Sequence, residues 1–201
     1  MTLKQGRLSN LISCLTILGL ISFLSACGGN DKTEETKQAD KSTSIVLSAN
    51  GVGPINADSS FNMHQMTLAF SDYNVIEEVN YQQGSPYPVI RVSEGVKTLM
   101  VINPDSSHKN IFSIIIEDSL IKNSLGHRLG TSYSEIYAYG QTEECQLGAQ
   151  DMAGKVLCYA PKVPNILYVF NGKKSSNITK IPAADVLQSW ALESIIWRPR
   201  N

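Results

Sequence analysis

Apolar positions fall into three regimes along the chain. From Leu11 to Phe23 they are almost continuous, interrupted by Gly19 and a few small polar residues. From Gly28 to Ser44 no side chain is large and apolar enough to join a core. From Ile45 onward, short runs of β-branched, aliphatic and aromatic residues alternate with Gly, Pro, Asn and Asp, which is the pattern of many short strands with tight connections. This third regime predicts one domain over 45–201, about 157 residues, long enough to bury an ordinary core.

Within the domain the pattern repeats. Ile76–Tyr81 (IEEVNY) resembles Thr142–Leu147 (TEECQL), PVIRV at 88–92 sits against KVLCY at 155–159, and LMVIN at 99–103 against LYVFN at 167–171. The spacing is nearly constant, at about 67 positions. FSIIIED at 112–118 then parallels ESIIWRP at 193–199, the spacing having grown because 172–190 inserts extra chain. Upstream, GVGPINADSSF and GHRLGTSYSEI both run from glycines into a short helical pattern. The predicted fold class is therefore α+β, with two similar halves (roughly 51–118 and 125–199), each a short helix packed on an antiparallel sheet of about four strands.

The first helix is expected over Ser60–Phe70, with Phe61, Met63, Met66, Leu68 and Phe70 as core contacts. The second starts at Ser132, where Ser132 and Glu135 have capping-box spacing, and carries Tyr133, Ile136 and Tyr137. A third helical piece begins at Pro182 and presents Val186, Leu187 and Trp190. A hairpin turn is expected at Asn103-Pro104-Asp105. The run Ile111–Ile116 is too continuous for a strand with one wet face, so a helix is expected to cover it.

The apolar segment near the start is about thirteen residues, or ~20 Å of helix, too short to cross ~30 Å of hydrocarbon. With Lys4 and Arg7 before it, 1–26 reads as a secretory signal. Leu24-Ser25-Ala26-Cys27 is similar to the bacterial lipobox, whose cysteine receives a diacylglycerol before cleavage. Cys27 is thus the expected lipidation site, the alternative being an ordinary secreted chain with a chance cysteine. Two or three acyl chains at ~0.8 kcal/mol per buried methylene would hold such a protein on a membrane. Gly28, by resemblance to enterobacterial lipoproteins, implies sorting to the outer membrane. The polar stretch 27–44 reads as a tether, with a reach of roughly 20–25 Å.

Charge narrows the partners. Without 1–26 the chain keeps 15 basic against 18 acidic residues, since Lys4 and Arg7 are the only charges lost. No basic run marks a nucleic-acid surface, so no nucleic-acid partner is expected. Of four cysteines, Cys14 leaves with the signal and Cys27 is the acylation candidate, leaving Cys145 and Cys158. An even pair in an oxidising compartment reads as a disulfide, across a hairpin whose turn is GAQDMAG. A redox-active pair is the sharper alternative, but Cys-X-X-Cys spacing is lacking.

Candidate chemistry is sparse. His64, His108 and His127 show no metal-ligand spacing, and His127 beside Arg128 reads as a solvated turn residue. Glu77-Glu78 and Glu143-Glu144 place adjacent carboxylates on opposite faces of a strand, which suits edge-strand charges better than an acid/base pair. GVGPIN lacks the setting of a nucleotide loop and reads as a turn needing positive φ at Gly51 or Gly53. Tyr133, Tyr137 and Tyr139 are expected to pack in the core in preference to forming a ligand platform. Trp190 and Trp197 are likewise expected in the core, with Arg198 exposed. No catalytic, cofactor or metal residue is assigned.

GVGPINADSSF, LGHRLGTSYSEIY, the Cys145/Cys158 pair and the ending VLQSWALESIIWRP together resemble the family of sigma-E-regulated bacterial outer-membrane lipoproteins, over about 50–199. The resemblance implies an envelope setting linked to stress and transfers no active site. The expected protein is a non-enzymatic binding or assembly module, anchored by lipid to the outer membrane with its domain facing the periplasm. Its expected partners are the membrane and an envelope protein. The alternatives are an inhibitor or sensor of an envelope enzyme, by fold analogy with tandem helix-plus-four-strand inhibitors of β-lactamase, and a hydrolase with an unrecognised site.

Overall fold

A computed structural model of the chain describes residues 44–141, 144–172 and 178–200. The expected signal 1–26, Cys27, the tether as far as residue 43, Glu143 and residues 173–177 of the extra segment lie outside the described residues.

The chain opens with three very short strands, β1 (Val46–Ser48), β2 (Gly51–Val52) and β3 (Ile55–Asn56). They form a small sheet in the order β3-β2-β1-β8, where β8 is Lys122–Asn123 and runs parallel to β1. A Cβ on Gly51 would meet the Ile55 carbonyl oxygen at 1.8 Å, so close backbone approach demands this glycine, whereas Gly53 is the one at positive φ (55°).

Helix α1 (Met63–Ala69) follows, its first turn capped by Asn62, whose side chain accepts from Gln65 N–H at 3.1 Å. Met66 and Phe70 are buried, Phe61 and Met63 partly so, while Leu68 points to solvent at 66 % exposure. Strands β4 (Asn74–Gln82), β5 (Ser85–Glu94), β6 (Lys97–Pro104) and β7 (Ile111–Ile116) then form an antiparallel meander. The β4–β5 turn is Gln83-Gly84, both at positive φ, the geometry that matches a two-residue turn to strand twist. The β6–β7 connection is longer than the expected Asn103-Pro104-Asp105 turn. Strand β6 runs on to Pro104, and the Asp105 carboxylate gathers Ser107, Lys109 and Asn110 around it. These hydrogen bonds, that from the Asn110 side chain foremost, hold its pKa well below the usual carboxylate range.

The second stretch carries α2 (Tyr133–Ile136), β9 (Cys145–Leu147), β10 (Val156–Ala160), β11 (Val163–Asn171), α3 (Ala184–Leu187) and β12 (Ala191–Trp197). At α2 the Glu135 carboxylate accepts from both the N–H and the hydroxyl of Ser132, as the capping spacing predicts.

The expectation of two similar halves, each a helix on its own sheet, is corrected. Strand β7 pairs with β12 (Ile116 with Ile195, Ile114 with Trp197), joining the strands of both stretches into one eight-stranded sheet of order β4-β5-β6-β7-β12-β11-β10-β9 beside the small one. GVGPIN builds strands of the small sheet, whereas GHRLGT has no strand, and α2 is only four residues long. The fold is α+β in composition but mostly sheet. A single core cluster joins Leu47 and Val52 of the small sheet, Met66 of α1, Tyr133 of α2 and Leu187 of α3 to the inner face of the large sheet. Trp190 and Trp197 are buried within it, as expected, while Val186 is exposed. Ile111, Ile114 and Ile116 face this core. On the other side of β7, Ser113 and Ile115 line a hollow bordered by the single 3-10 turn Gln150–Met152 and by no α-helix among the described residues, so the expected helical cover is reduced to that turn.

Candidate functional site

The outer face of the large sheet is where side chains converge. Strand alternation sends Ile90, Val92, Met100 and Ile102 into the core and their neighbours to the opposite side. Register then aligns Arg91, Val101, Ile115, Ile196, Leu167 and Tyr159 as one lateral row across six strands. The row is aliphatic in the middle and polar at both ends.

Next to this row lies a hollow of about 550 Å³. Ile115, Leu157 and Ile196 line it together with Asn103 and Ser113. Tyr87, Phe112 and Met152 add large side chains. Tyr87 belongs to the second strand of the sheet, and Met152 to the connection between the last two, so the sheet curls until opposite ends border one space. Burial pushes the Tyr87 hydroxyl pKa up, and the negative charge of Asp151 from that far connection adds to it. The shift of register between Asn103 and Pro104 leaves Phe112 without a cross-strand partner, and Phe112 lies under the Arg198 guanidinium at 5.3 Å.

A charged group occupies the same side of the sheet. Arg91 Nε donates to Glu78 Oε2 at 2.8 Å and its Nη1 to Thr98 Oγ1 at 2.8 Å, while Lys155 pairs with Glu193 at 3.1 Å. Burial raises the Glu117 pKa against the opposing pull of Arg91 and Lys155. The hollow itself, with Asp151 and Arg198 in its lining, offers aliphatic floor, aromatic rim and both signs of charge, a lining suited to a peptide-like surface.

Each residue singled out in the sequence now has a place. Cys145 and Cys158 are directly opposed across β9 and β10 and form a disulfide. Cys27 lies outside the described residues. His64 and His108 are exposed on α1 and the β6–β7 turn, and no cluster of His, Cys, Asp and Glu able to hold a metal occurs among the described residues. Glu78 is drawn to Arg91 while Glu77 faces solvent, on an edge strand as expected. Tyr133 and Tyr137 pack on Phe170, but Tyr139 is 76 % exposed, contrary to expectation. Burial drives the Tyr137 hydroxyl far above its usual range, and it donates to the Tyr159 carbonyl at 2.6 Å. Tyr87, Asn103 and Asp151 had no motif to announce them.

His127 is the other correction, for it is half-buried against Tyr168 and not simply solvated. The Tyr168 hydroxyl accepts from Asn123 Nδ2 at 2.7 Å and lies 2.8 Å from His127 Nδ1. Which of the two groups donates depends on the His127 tautomer. Burial raises Tyr168 to about 12 and lowers His127, with Glu135 pulling the latter partly back. A histidine whose folded pKa is depressed binds its proton more weakly than the unfolded chain does. Stability is therefore complete above the unfolded value near 6.5 and declines as pH falls below it. Replacing His127→Asn keeps a hydrogen-bonding group near the position of Nδ1 without a titrating ring. Thermal melts between pH 7.5 and 5.5 are expected to show the parent losing ground relative to this variant, and parallel curves would refute the linkage.

No helix among the described residues is long and apolar enough to cross a membrane. The chain matches no curated protein. Among solved structures it is similar to "Crystal structure of the uncharacterized protein yfeY from Escherichia coli", at 28% sequence identity and a TM-score of 0.65, covering 77% of this chain and 99% of that one. The family model described as "Protein of unknown function (DUF1131)" matches residues 39–199, which takes in both sheets and the hollow, and the chain belongs to that family.

Proposed function

We propose that this chain is a lipid-anchored, non-enzymatic envelope protein that holds a partner protein in the hollow of its curled sheet. Cys27 carries the acyl chains in this reading, 28–44 spaces the domain from the outer membrane, and the domain faces the periplasm. The observation that carries the binding role is the hollow itself, in which residues from both ends of an eight-stranded sheet border one space of about 550 Å³. An aliphatic floor ringed by Tyr87, Phe112 and Arg198 supplies the apolar anchor and polar rim that protein interfaces use. A link to envelope stress follows only from the family resemblance and forms part of the same proposal.

A photo-reactive methionine analogue at Met152, in intact envelopes, tests it. The expected result is a discrete protein adduct that disappears when Phe112→Asp places a carboxylate at the rim. Adducts of lipid or glycan alone, or an adduct indifferent to Phe112→Asp, would overturn the assignment. The anchor is tested separately by incorporation of an alkyne-labelled fatty acid, which Cys27→Ser is expected to abolish.

A further inference from the structure

The two edges of the large sheet are unlike. Strand β9 has three residues and is held to β10 by the disulfide, whereas β4 has nine and pairs with β5 in unbroken register from Asn74–Ser93 to Gln82–Ser85. No strand lies beyond β4 among the described residues. The strand contains no Pro, no Lys and no bulge, the usual devices that close an edge.

Its neighbour's sequence tells which backbone groups point outward. Val79 stands opposite Pro88 and Tyr81 opposite Pro86, and proline has no N–H to give a ladder. These positions are therefore non-hydrogen-bonded pairs, whose β4 residues turn both N–H and C=O away from β5. Tyr81 N–H agrees, since it goes to the Asn80 side chain at 2.8 Å. By the two-residue period, Val75 and Glu77 present theirs outward as well. The side chains of Val79 and Tyr81 are themselves 62% and 63% exposed.

We propose that β4 pairs antiparallel with β4 of a second copy, about a two-fold axis through Val79. Outward-facing residues must meet outward-facing residues, which leaves few central registers. Setting Glu77 against the partner's Glu77 opposes two carboxylates. Setting Glu77 against the partner's Val79 brings Glu78 opposite the partner's Glu78. Among the registers that pair at least seven residues of β4, only Val79 against the partner's Val79 lets every carboxylate meet an uncharged residue: Glu77 meets the partner's Tyr81, and Glu78 meets the partner's Asn80. The exposed valines then bury each other at the axis, and each tyrosine ring lies beside a carboxylate its hydroxyl can reach. The acidic doublet selects a register in place of blocking pairing altogether. A symmetric contact of this kind closes on itself, so it yields a dimer and not a fibre.

The test uses the full-length chain in mild detergent, with the unsubstituted chain as baseline for its native cysteines. A short bis-maleimide is expected to give a covalent dimer with Val79→Cys. It is expected to give far less with Glu77→Cys, whose thiols would sit about four residues apart, or ~13 Å. Light scattering is expected to report a dimer for the parent and a monomer for Val79→Lys, with the melting temperature of the exposed substitution retained. A monomeric parent, a dimer that survives Val79→Lys, equal cross-linking at 77 and 79, or a different protein trapped at residue 79 in cells would each overturn the proposal.

Discussion

Replacing Trp197→Ala is expected to lower the melting temperature by about 10 °C or more, the largest effect of any single substitution considered. The indole is fully buried and ends β12 opposite Ile166 on one side and Ile114 on the other, at the seam where the two meanders join. Its Nε1–H donates to the Ala49 carbonyl at 3.3 Å, tying the large sheet to the β1–β2 turn of the small one. Asn165 Nδ2 reaches the same carbonyl at 2.8 Å and the Arg198 carbonyl at 3.0 Å, so the ring sits in a junction of three segments. Truncating a buried tryptophan costs ~3–5 kcal/mol through lost transfer energy and an incompletely collapsed cavity. For a domain of this size each kcal/mol is worth ~2–4 °C. Trp197→Phe separates the contributions, since it retains most of the apolar fill while removing the donor to Ala49. It is expected to recover more than half of the loss, and a Trp197→Ala melt within two degrees of the parent would contradict the packing.

The second large effect is expected from Cys145→Ser. The bonded cysteines are 13 residues apart and their Cα atoms are 4.0 Å apart, across the shortest strand of the large sheet. Three residues of ladder cannot hold an edge strand by themselves, and the bridge removes the loop-closure freedom that would let it peel away. Closing a loop of this length stabilises by ~3 kcal/mol in the chain-entropy model. The melting temperature is therefore expected to fall by ~6–12 °C. Cys158 is the fully buried member and Cys145 the partly buried one, packed against the core. Treating the oxidised parent with reductant before the melt is expected to reproduce the loss. Free thiols at these positions in the oxidised parent, or an unchanged melt, would contradict the staple.

Much of the local structure was legible because its causes lie within a few residues. Ser132 and Glu135 announced a helix start that the structure keeps, and Asn62 and Gln65 form a comparable cap at α1. The cysteine pair fell on adjacent strands because the hairpin between them is short. The misjudged residues are those whose environment comes from elsewhere. Leu68 and Val186 have helical spacing for burial, yet nothing among the described residues covers them. His127 looked like a turn residue and is half-buried because Tyr168, 41 positions later in the chain, meets it.

The sequence alone determined where the eight strands of the large sheet lie and which cysteines face each other, though not the four short strands of the small sheet, because alternation and turn chemistry act over two to five residues. Only the tertiary structure decided that β7 and β12 fuse two meanders into one sheet, that β8 finds β1, and that Tyr87 and Asp151 border a common hollow. Those outcomes depend on matching apolar faces between segments far apart in the chain and on the accumulated twist of eight strands. Neither leaves a local mark on the residues that end up together.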